Sequence, residues 1–377
     1  MYDRASDQAT NLGKSNLPPI QSFTTPAIFS PGIVVASGVG VSGTADNSTD
    51  NPLTDEVEGN DDLEYYGPLN FGSQAQTQTI DFDTGSADLW VPVNCTNCGN
   101  HEQFQASSSS TYQKTDQHFE VTYGIGQVSG TLASDTVSIG PFNVTNQYFG
   151  AVDSVSANFA QSPNDGLAGL AFSTISNSHQ PTFFENLISQ GFVQAPLFSV
   201  YLTRGQIQGS EICFGCIDVS KTSEDTVRWI PVVSQTYWTV AMEGVSVDGS
   251  RVSTQGLNGI IDTGTSFLYV PKDKADAIYA LIPGSAPALD YGDGYYYYPC
   301  DSQAQISFVF NEQEFALDPR DFNLGLSYHD PSTCIGAIIG SGPDGIAIIG
   351  DSFLKSYVSV YDYSHNARVG FVKSITE

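Results

Sequence analysis

The sequence predicts an all-β protein of two lobes related by a pseudo-two-fold axis, with an active-site cleft between them. One phrase of ten residues occurs twice, starting at Asp83 and at Asp262, 179 positions apart. The 377 residues exceed what a single hydrophobic core usually supports. Only 14% of the residues are charged, while Tyr, Phe, Ser, Thr and Gly are plentiful, which favours strands and turns over long helices. Short helices are predicted at Pro181–Gln190 and Lys272–Ile282, where the apolar spacing becomes helical.

The two copies match in residue type as well as in length. The first reads DTGSADLWVP from Asp83, and the second reads DTGTSFLYVP from Asp262. Apolar residues precede each aspartate, so each phrase is predicted to be a buried strand that ends in a tight turn. Glycine permits such a turn because it tolerates positive φ and close backbone approach, and these turns contain Gly85 and Gly264.

The repeat points to chemistry because a buried carboxylate is costly to desolvate. One copy alone would be interpreted as a strand end whose aspartate caps a turn. Two matching copies indicate that Asp83 and Asp262 meet, in which case repulsion prevents both from ionising and they share one proton. Ser86 and Thr265, three residues after each aspartate, supply hydroxyls that would hold the carboxylates.

A second repeat accompanies the first. Leu167-Ala168-Gly169 and Ile348-Ile349-Gly350 are apolar runs ending in glycine, again about one lobe apart. We expect each run to form a strand that packs beside one aspartate loop.

These segments resemble the pepsin-like aspartic proteases, from about Tyr65 to Val372. The resemblance implies the bilobal pepsin-like acid protease fold. It also implies that Asp83 and Asp262 are the catalytic pair, surrounded by Ser86, Thr265, Gly85 and Gly264. The hairpin flap over the cleft would consist of Tyr123, Gly124, Ile125 and Gly126, with Trp90 as the hydrogen-bond partner of Tyr123. Tyr237 and Trp238 would be aromatic residues that line the cleft.

The implied activity is hydrolysis of peptide bonds at acid pH, by a water activated between two carboxyls that share a proton. The expected partners are extended protein or peptide substrates and statine-type inhibitors, and the enzyme is expected to be a monomer. The alternative is a catalytically inactive pepsin-like binding or inhibitor protein. Such relatives lose an aspartate, the flap tyrosine or the hydroxyls, all of which this sequence keeps. Two positions depart from the family: Ile125 replaces a frequent Thr or Ser, and Asn164 replaces a frequent aromatic.

The charge is strongly acidic, with 13 basic against 41 acidic residues and a net charge of −28. Nucleic-acid binding requires clustered Lys and Arg, so it is excluded, and docking on anionic membranes is disfavoured. No uninterrupted apolar run is long enough to span a membrane. Self-repulsion predicts that the fold is more stable at acid than at neutral pH.

Six cysteines form three plausible couples, Cys95–Cys98, Cys213–Cys216 and Cys300–Cys334. The resemblance supports the first and last as disulfides, and Cys213–Cys216 would be an additional one. Two zinc-binding C-x-x-C sites are the alternative, but no accompanying ligand cluster is evident, so no metal is expected. Residues 340–345 match G-x-G-x-x-G, yet Pro343 favours a plain turn, and no cofactor is expected.

Sequons at Asn47, Asn94 and Asn143 are candidate glycosylation sites, and with the cysteines they favour a secreted or cell-wall protein, or a vacuolar one. Residues 1–55 are predicted to be a poorly ordered linker or pro-segment remnant. Residues 56–199 would form the N-terminal lobe with the flap, and residues 200–377 the C-terminal lobe. No dibasic site precedes the enzyme body, so maturation is expected to occur by self-cleavage.

Overall fold

A computed structural model describes residues 48–58 and 61–375 of the chain. As predicted, this part of the chain is built mainly of β-strands, and the strands of its first half are β1 Thr49–Glu58, β2 Asp61–Phe71, β3 Gln76–Asp83, β4 Leu89–Pro92, β5 Gln113–Tyr123, β6 Gly126–Ile139, β7 Phe142–Val155, β8 Gly166–Gly169, β9 Leu197–Tyr201 and β10 Gln208–Phe214. The strands of its second half are β11 Arg228–Gln235, β12 Trp238–Val247, β13 Ser250–Ile261, β14 Leu268–Tyr269, β15 Ala286–Pro287, β16 Tyr296–Pro299, β17 Ile306–Phe310, β18 Gln313–Ala316, β19 Asn323–Leu326, β20 Thr333–Gly336, β21 Ile338–Ile339, β22 Ile346–Ile349, β23 Tyr357–Asp362 and β24 Arg368–Lys373.

The α-helices of the described residues are short and lie at Phe183–Ser189, Lys272–Tyr279, Pro319–Phe322 and Asp351–Leu354. The first two confirm the predicted helices. Thr182 and Glu185 form a capping box at the N-terminus of the first helix, in which each side chain accepts a hydrogen bond from the other residue's backbone N–H. Among the described residues, no helix is long and apolar enough to cross a membrane.

The two aspartate loops are supported in the same way. β3 pairs in parallel with β8, and β8 pairs antiparallel with β4. Around the second aspartate loop, β13 pairs in parallel with β22, and β22 pairs antiparallel with β14. The predicted support strands are therefore confirmed, and each lies between the strand that enters an aspartate loop and the strand that leaves it.

One antiparallel sheet joins both halves of the chain, in the order β1, β10, β9, β23, β24 and β11. The boundary predicted between residues 199 and 200 falls inside β9, in the middle of this shared sheet. A division of the chain at that point would therefore cut a strand.

The predicted disorder of residues 1–55 is wrong for its last part, because β1 begins at Thr49. β1 lies between β10 and β2, and it buries Asn51, Leu53 and Asp55 on one face. The sequence gives little sign of this strand because two of the three buried side chains are polar. Residues 1–47, which include Asn47, lie outside the described residues.

Candidate active site

Asp83 and Asp262 meet at the floor between the two halves of the chain. Asp83 ends β3, Asp262 directly follows β13, and the residues are only 6% and 8% exposed. Their carboxyls are within hydrogen-bonding reach of each other. A Cβ added to Gly85 would collide with the carboxylate of Asp262, and one added to Gly264 would collide with that of Asp83. Each loop needs glycine because the opposite carboxylate lies against its backbone.

Each carboxylate is held by its own loop in the same pattern. The backbone N–H of Gly85 donates to Oδ1 of Asp83 at 2.6 Å, and Oγ of Ser86 donates to its Oδ2 at 2.5 Å.

The second loop repeats this arrangement. The N–H of Gly264 donates to Oδ1 of Asp262 at 2.9 Å, and Oγ1 of Thr265 donates to its Oδ2 at 2.8 Å. Both carboxyls therefore have one oxygen fixed by a backbone amide and the other by a hydroxyl, which leaves little rotational freedom.

Thr84 and Thr263 lock the two loops together, a role that the repeated phrase alone does not predict. Oγ1 of Thr84 donates to the carbonyl of Ile261 at 2.9 Å, and Oγ1 of Thr263 donates to the carbonyl of Phe82 at 2.6 Å. The signal is present in the sequence, since a threonine follows the aspartate in both phrases. Its meaning depends on the two loops facing each other.

Burial sets the titration of the pair. Burial raises the pKa of Asp83 well above its usual range, and repulsion from Asp262 raises it further, while hydrogen bonds from Ser86 and Gly85 oppose the increase. Burial also raises the pKa of Asp262, and hydrogen bonds from Thr265 and Gly264 oppose it. Two desolvated carboxyls in contact keep one proton between them, so the pair titrates as a unit.

A hairpin lies over this pair. β5 and β6 are joined by a two-residue turn of Gly124 and Ile125, flanked by Tyr123 and Gly126 as paired residues. Nε1 of Trp90 donates to the hydroxyl of Tyr123 at 3.0 Å, which is the contact that the family resemblance implies.

Phe159 completes an aromatic wall under the hairpin. Its ring lies edge-on to Trp90 at 5.5 Å and to Tyr123 at 5.3 Å. Asn158, its neighbour, donates from Nδ2 to the carbonyl of Ile125 at 2.8 Å and so ties the tip of the hairpin to this wall.

The two departures from the family lie in different surroundings. Ile125 is half-buried at the tip of the hairpin and packs against the cluster that contains Trp90 and Phe159. Asn164 is buried, and its Nδ2 donates to the carbonyl of Gly166 at 2.8 Å.

The two residues of the predicted aromatic pair, Tyr237 and Trp238, lie in different surroundings. Tyr237 is half-buried near the reactive acids, and burial, then Asp262 and Asp83, raise the pKa of its hydroxyl. Trp238 is fully buried, and its Nε1 donates to the carbonyl of Leu170 at 2.9 Å. The difference is explained by their places in the chain, because Tyr237 lies in the two-residue turn between β11 and β12, whereas Trp238 is the first residue of β12.

The cysteines form the three predicted disulfides, Cys95–Cys98, Cys213–Cys216 and Cys300–Cys334. This contradicts the zinc alternative, since the sulfurs of both C-x-x-C pairs are bonded to each other. Asn94 and Asn143 are exposed, as a glycosylation acceptor must be.

Two facing carboxyls in interlocked loops, covered by a hairpin, define the class of acid proteases with a paired aspartate centre. The chain belongs to the eukaryotic aspartyl protease family, whose sequence profile matches residues 64–374. It is 37% identical over 329 residues to the aspartic protease of Phaffia rhodozyma, covering 86% of this chain and 78% of the relative. It is 35% identical over 333 residues to pepsin A of Sus scrofa, covering 85% and 83%. It is 34% identical over 348 residues to cathepsin E of Mus musculus, covering 87% and 84%.

Proposed function

We propose that this protein is an aspartic endopeptidase in which Asp83 and Asp262 are the catalytic pair. The observation that carries the proposal is the symmetric fixing of two buried, proton-sharing carboxyls by Gly85, Ser86, Gly264 and Thr265. Each carboxylate also lies directly against the glycine of the opposite loop, so the two acids are held facing each other.

In the proposed reaction, a water bound between the two carboxyls attacks the carbonyl carbon of the scissile peptide bond. The ionised carboxylate removes a proton from this water, and the protonated carboxyl donates a hydrogen bond to the oxygen that becomes negative. The proton taken from the water then passes to the leaving nitrogen, the C–N bond breaks, and the products are a carboxylic acid and an amine. One carboxyl acts as the base and the other as the acid, so the reaction requires one carboxyl ionised and the other protonated.

The substrate is a protein or peptide in extended conformation, held between the floor and the hairpin at Tyr123, with Gly124, Ile125 and Gly126 at the tip. Trp90 supports the flap tyrosine, and Tyr237 lies on the opposite lobe. Statine-type peptides have a tetrahedral carbon that bears a hydroxyl in place of the scissile carbonyl, and they would bind more tightly than substrate.

The wider assignments follow from composition and the family. We propose a monomeric glycoprotein, carrying glycans at Asn94 and Asn143, that is secreted or vacuolar and is made as a zymogen. Residues 1–47 would contain the pro-segment remnant, and the two lobes would meet near residue 200.

Cleavage of denatured globin at pH 3–5 tests the function. The wild-type protein should cleave it, a statine-type peptide should block cleavage, and Asp83→Asn and Asp262→Asn should lower the rate by about 10²–10⁴-fold or more while the fold is kept. Asp116→Asn removes an exposed acid and is the matched control. A protein that binds the inhibitor but never cleaves would instead be the inactive binding protein.

A further inference from the structure

A third carboxyl lies beside the reactive pair and has no role in the proposed reaction. Asp81 is two residues before Asp83 in β3 and is only 6% exposed. Its Oδ1 is buried and accepts no hydrogen bond from the described residues. Burying a carboxyl oxygen without a hydrogen-bond donor is costly, so we expect a ligand to supply that donor.

The register shows which way Asp81 points. Alternate residues of a strand share a face, so Asp81 lies on the face of Asp83, whereas Ile80 and Phe82 point into the core. In β2, Tyr66 is paired with Asp81, which places Glu64 on the same face, two residues along.

The neighbouring strand β8 shows which residues lie next to this face. Leu167 of β8 is paired with Asp81 and packs in the same cluster as Trp90 and Phe159. Tyr123 and Ile125 of the hairpin pack against that cluster. The face that carries Asp81 and Glu64 therefore lies under the flap, on one side of the reactive pair.

We propose that Asp81, assisted by Glu64, forms an acidic subsite that binds the side chain of a lysine next to the scissile bond. This rests on the proposed function and specifies its substrate class. Two residues of strand span about 6.8 Å, which is close to the reach of a lysine side chain from a backbone held at the reactive pair. The aliphatic stem would pack on the wall of Phe159 and Tyr123, and the ammonium would meet the carboxylates.

The electrostatic surroundings give the subsite a pH dependence. Burial raises the pKa of Asp81 well above its usual range, and Glu64, Asp83, Asp351 and Asp262 raise it further. Tyr66 is the titratable group directly across β2 and is neutral in this range. The raised pKa moves the ionisation of Asp81 to higher pH, so the preference for lysine should grow as the pH rises.

The test uses two peptides that differ only in lysine or norleucine beside the scissile bond, prepared with the substitution on either side of the bond. For the wild-type protein, the ratio of kcat/KM for lysine to that for norleucine should rise between pH 3 and pH 6. Asp81→Asn should lower this ratio by about tenfold or more at the upper end, since it removes the partner of a desolvated charge. Glu64→Gln should lower it less, because Glu64 is half-exposed.

Asp135→Asn is the matched control, because Asp135 is a buried acid with one unpartnered oxygen in another part of the first half. It should leave the ratio unchanged, and thermal midpoints show whether each variant folds. A ratio that is flat with pH, or that Asp81→Asn does not change, would overturn the subsite.

Failure of both peptides to be cleaved would count against the proposed function instead. In that case, the subsite is tested by comparing how tightly statine peptides that contain lysine or norleucine bind to the wild-type protein. Tighter binding of the lysine form at pH 6 supports it, and equal binding refutes it.

Discussion

Thr84 and Thr263 are joined by two reciprocal hydrogen bonds. The backbone N–H of Thr84 donates to Oγ1 of Thr263 at 3.0 Å, and the N–H of Thr263 donates to Oγ1 of Thr84 at 3.0 Å. Because each threonine follows a reactive aspartate, this interlock sets the distance between the two carboxyls. It also bridges two loops that are otherwise held by separate support strands.

Replacing Thr263 by valine should therefore lower both stability and activity. The buried N–H of Thr84 would lose its acceptor, which costs about 1–3 kcal/mol, and the two carboxyls would lose their fixed separation. We expect a lower thermal midpoint and a kcat that falls more than KM rises.

Thr263→Ser is the control, since serine keeps the hydroxyl and should retain most of both properties. If valine changed stability but left kcat intact, the interlock would be a structural feature only.

The hydroxyls of Ser86 and Thr265 should set the acid limb of the pH–rate profile. Each hydroxyl donates to one carboxyl and favours its ionised form, so Ser86 lowers the pKa of Asp83 and Thr265 lowers the pKa of Asp262. Removing either one raises the pKa of the pair, so both carboxyls stay protonated, and the enzyme inactive, up to a higher pH. In Ser86→Ala and Thr265→Ala, the acid limb of kcat/KM should move to higher pH.

The matched control for these variants is Ser266→Ala. The hydroxyl of Ser266 lies in the same loop as Thr265 but donates to the carbonyl of Leu63. Its profile should keep the wild-type acid limb, and a shift of equal size would mean that the loop responds to any lost hydroxyl.

The reactive centre is predictable from the sequence because its signal is local and doubled. Each copy is a strand followed by a turn, and a buried acid that recurs with its hydroxyl and glycine is typical of a paired catalytic centre. The interlock of Thr84 with Thr263 is not predictable in this way, because a threonine after an aspartate acquires its meaning only when the two loops face each other.

The features that the sequence does not predict have equally physical causes. β1 is hard to recognise because the face that it buries contains Asn51 and Asp55, which give no apolar alternation. Trp238 adjoins Tyr237 in the sequence, yet Tyr237 lies in the turn that ends β11 and Trp238 begins β12, where its side chain is fully buried. Asp81 looks like part of an ordinary strand end, since no sequence pattern shows that one oxygen of its carboxyl lacks a hydrogen-bond partner.

Trp90 should act on the reaction through Tyr123. Trp90→Phe keeps most of the aromatic packing but removes the donor to the Tyr123 hydroxyl. A hydrogen bond of this kind is worth about 0.5–1.5 kcal/mol, so kcat/KM should fall by about two- to twelve-fold. Trp229→Phe serves as the control, because Trp229 stacks under Arg368, away from the hairpin. An unchanged kcat/KM in Trp90→Phe would mean that Tyr123 does not need this support.

Buried and half-buried acids on β1, β2 and the neighbouring β10 should make the fold sensitive to rising pH. Burial raises the pKa of Asp55 to about 9, and its hydrogen bond with Asp62 adds to this, while the charge of Lys355 opposes it. Burial likewise raises the pKa of Asp61 to about 6, and that of Glu211 to about 7. Since these folded values lie above the ordinary carboxyl values of 3.8 and 4.5, the folded state binds more protons than the unfolded state.

The stability that these acids contribute is complete below pH 4 and is lost as the pH rises from about 4 to 9. The thermal midpoint should therefore be lower at pH 8 than at pH 5. Asp55→Asn replaces a protonated acid by a neutral side chain of the same shape, so the difference between the two midpoints should shrink. Asp116→Asn, which removes an exposed acid, should leave the difference nearly unchanged. Equal wild-type midpoints at the two pH values, or an Asp55→Asn variant as sensitive as the wild type, would show that these carboxyls do not control the pH dependence.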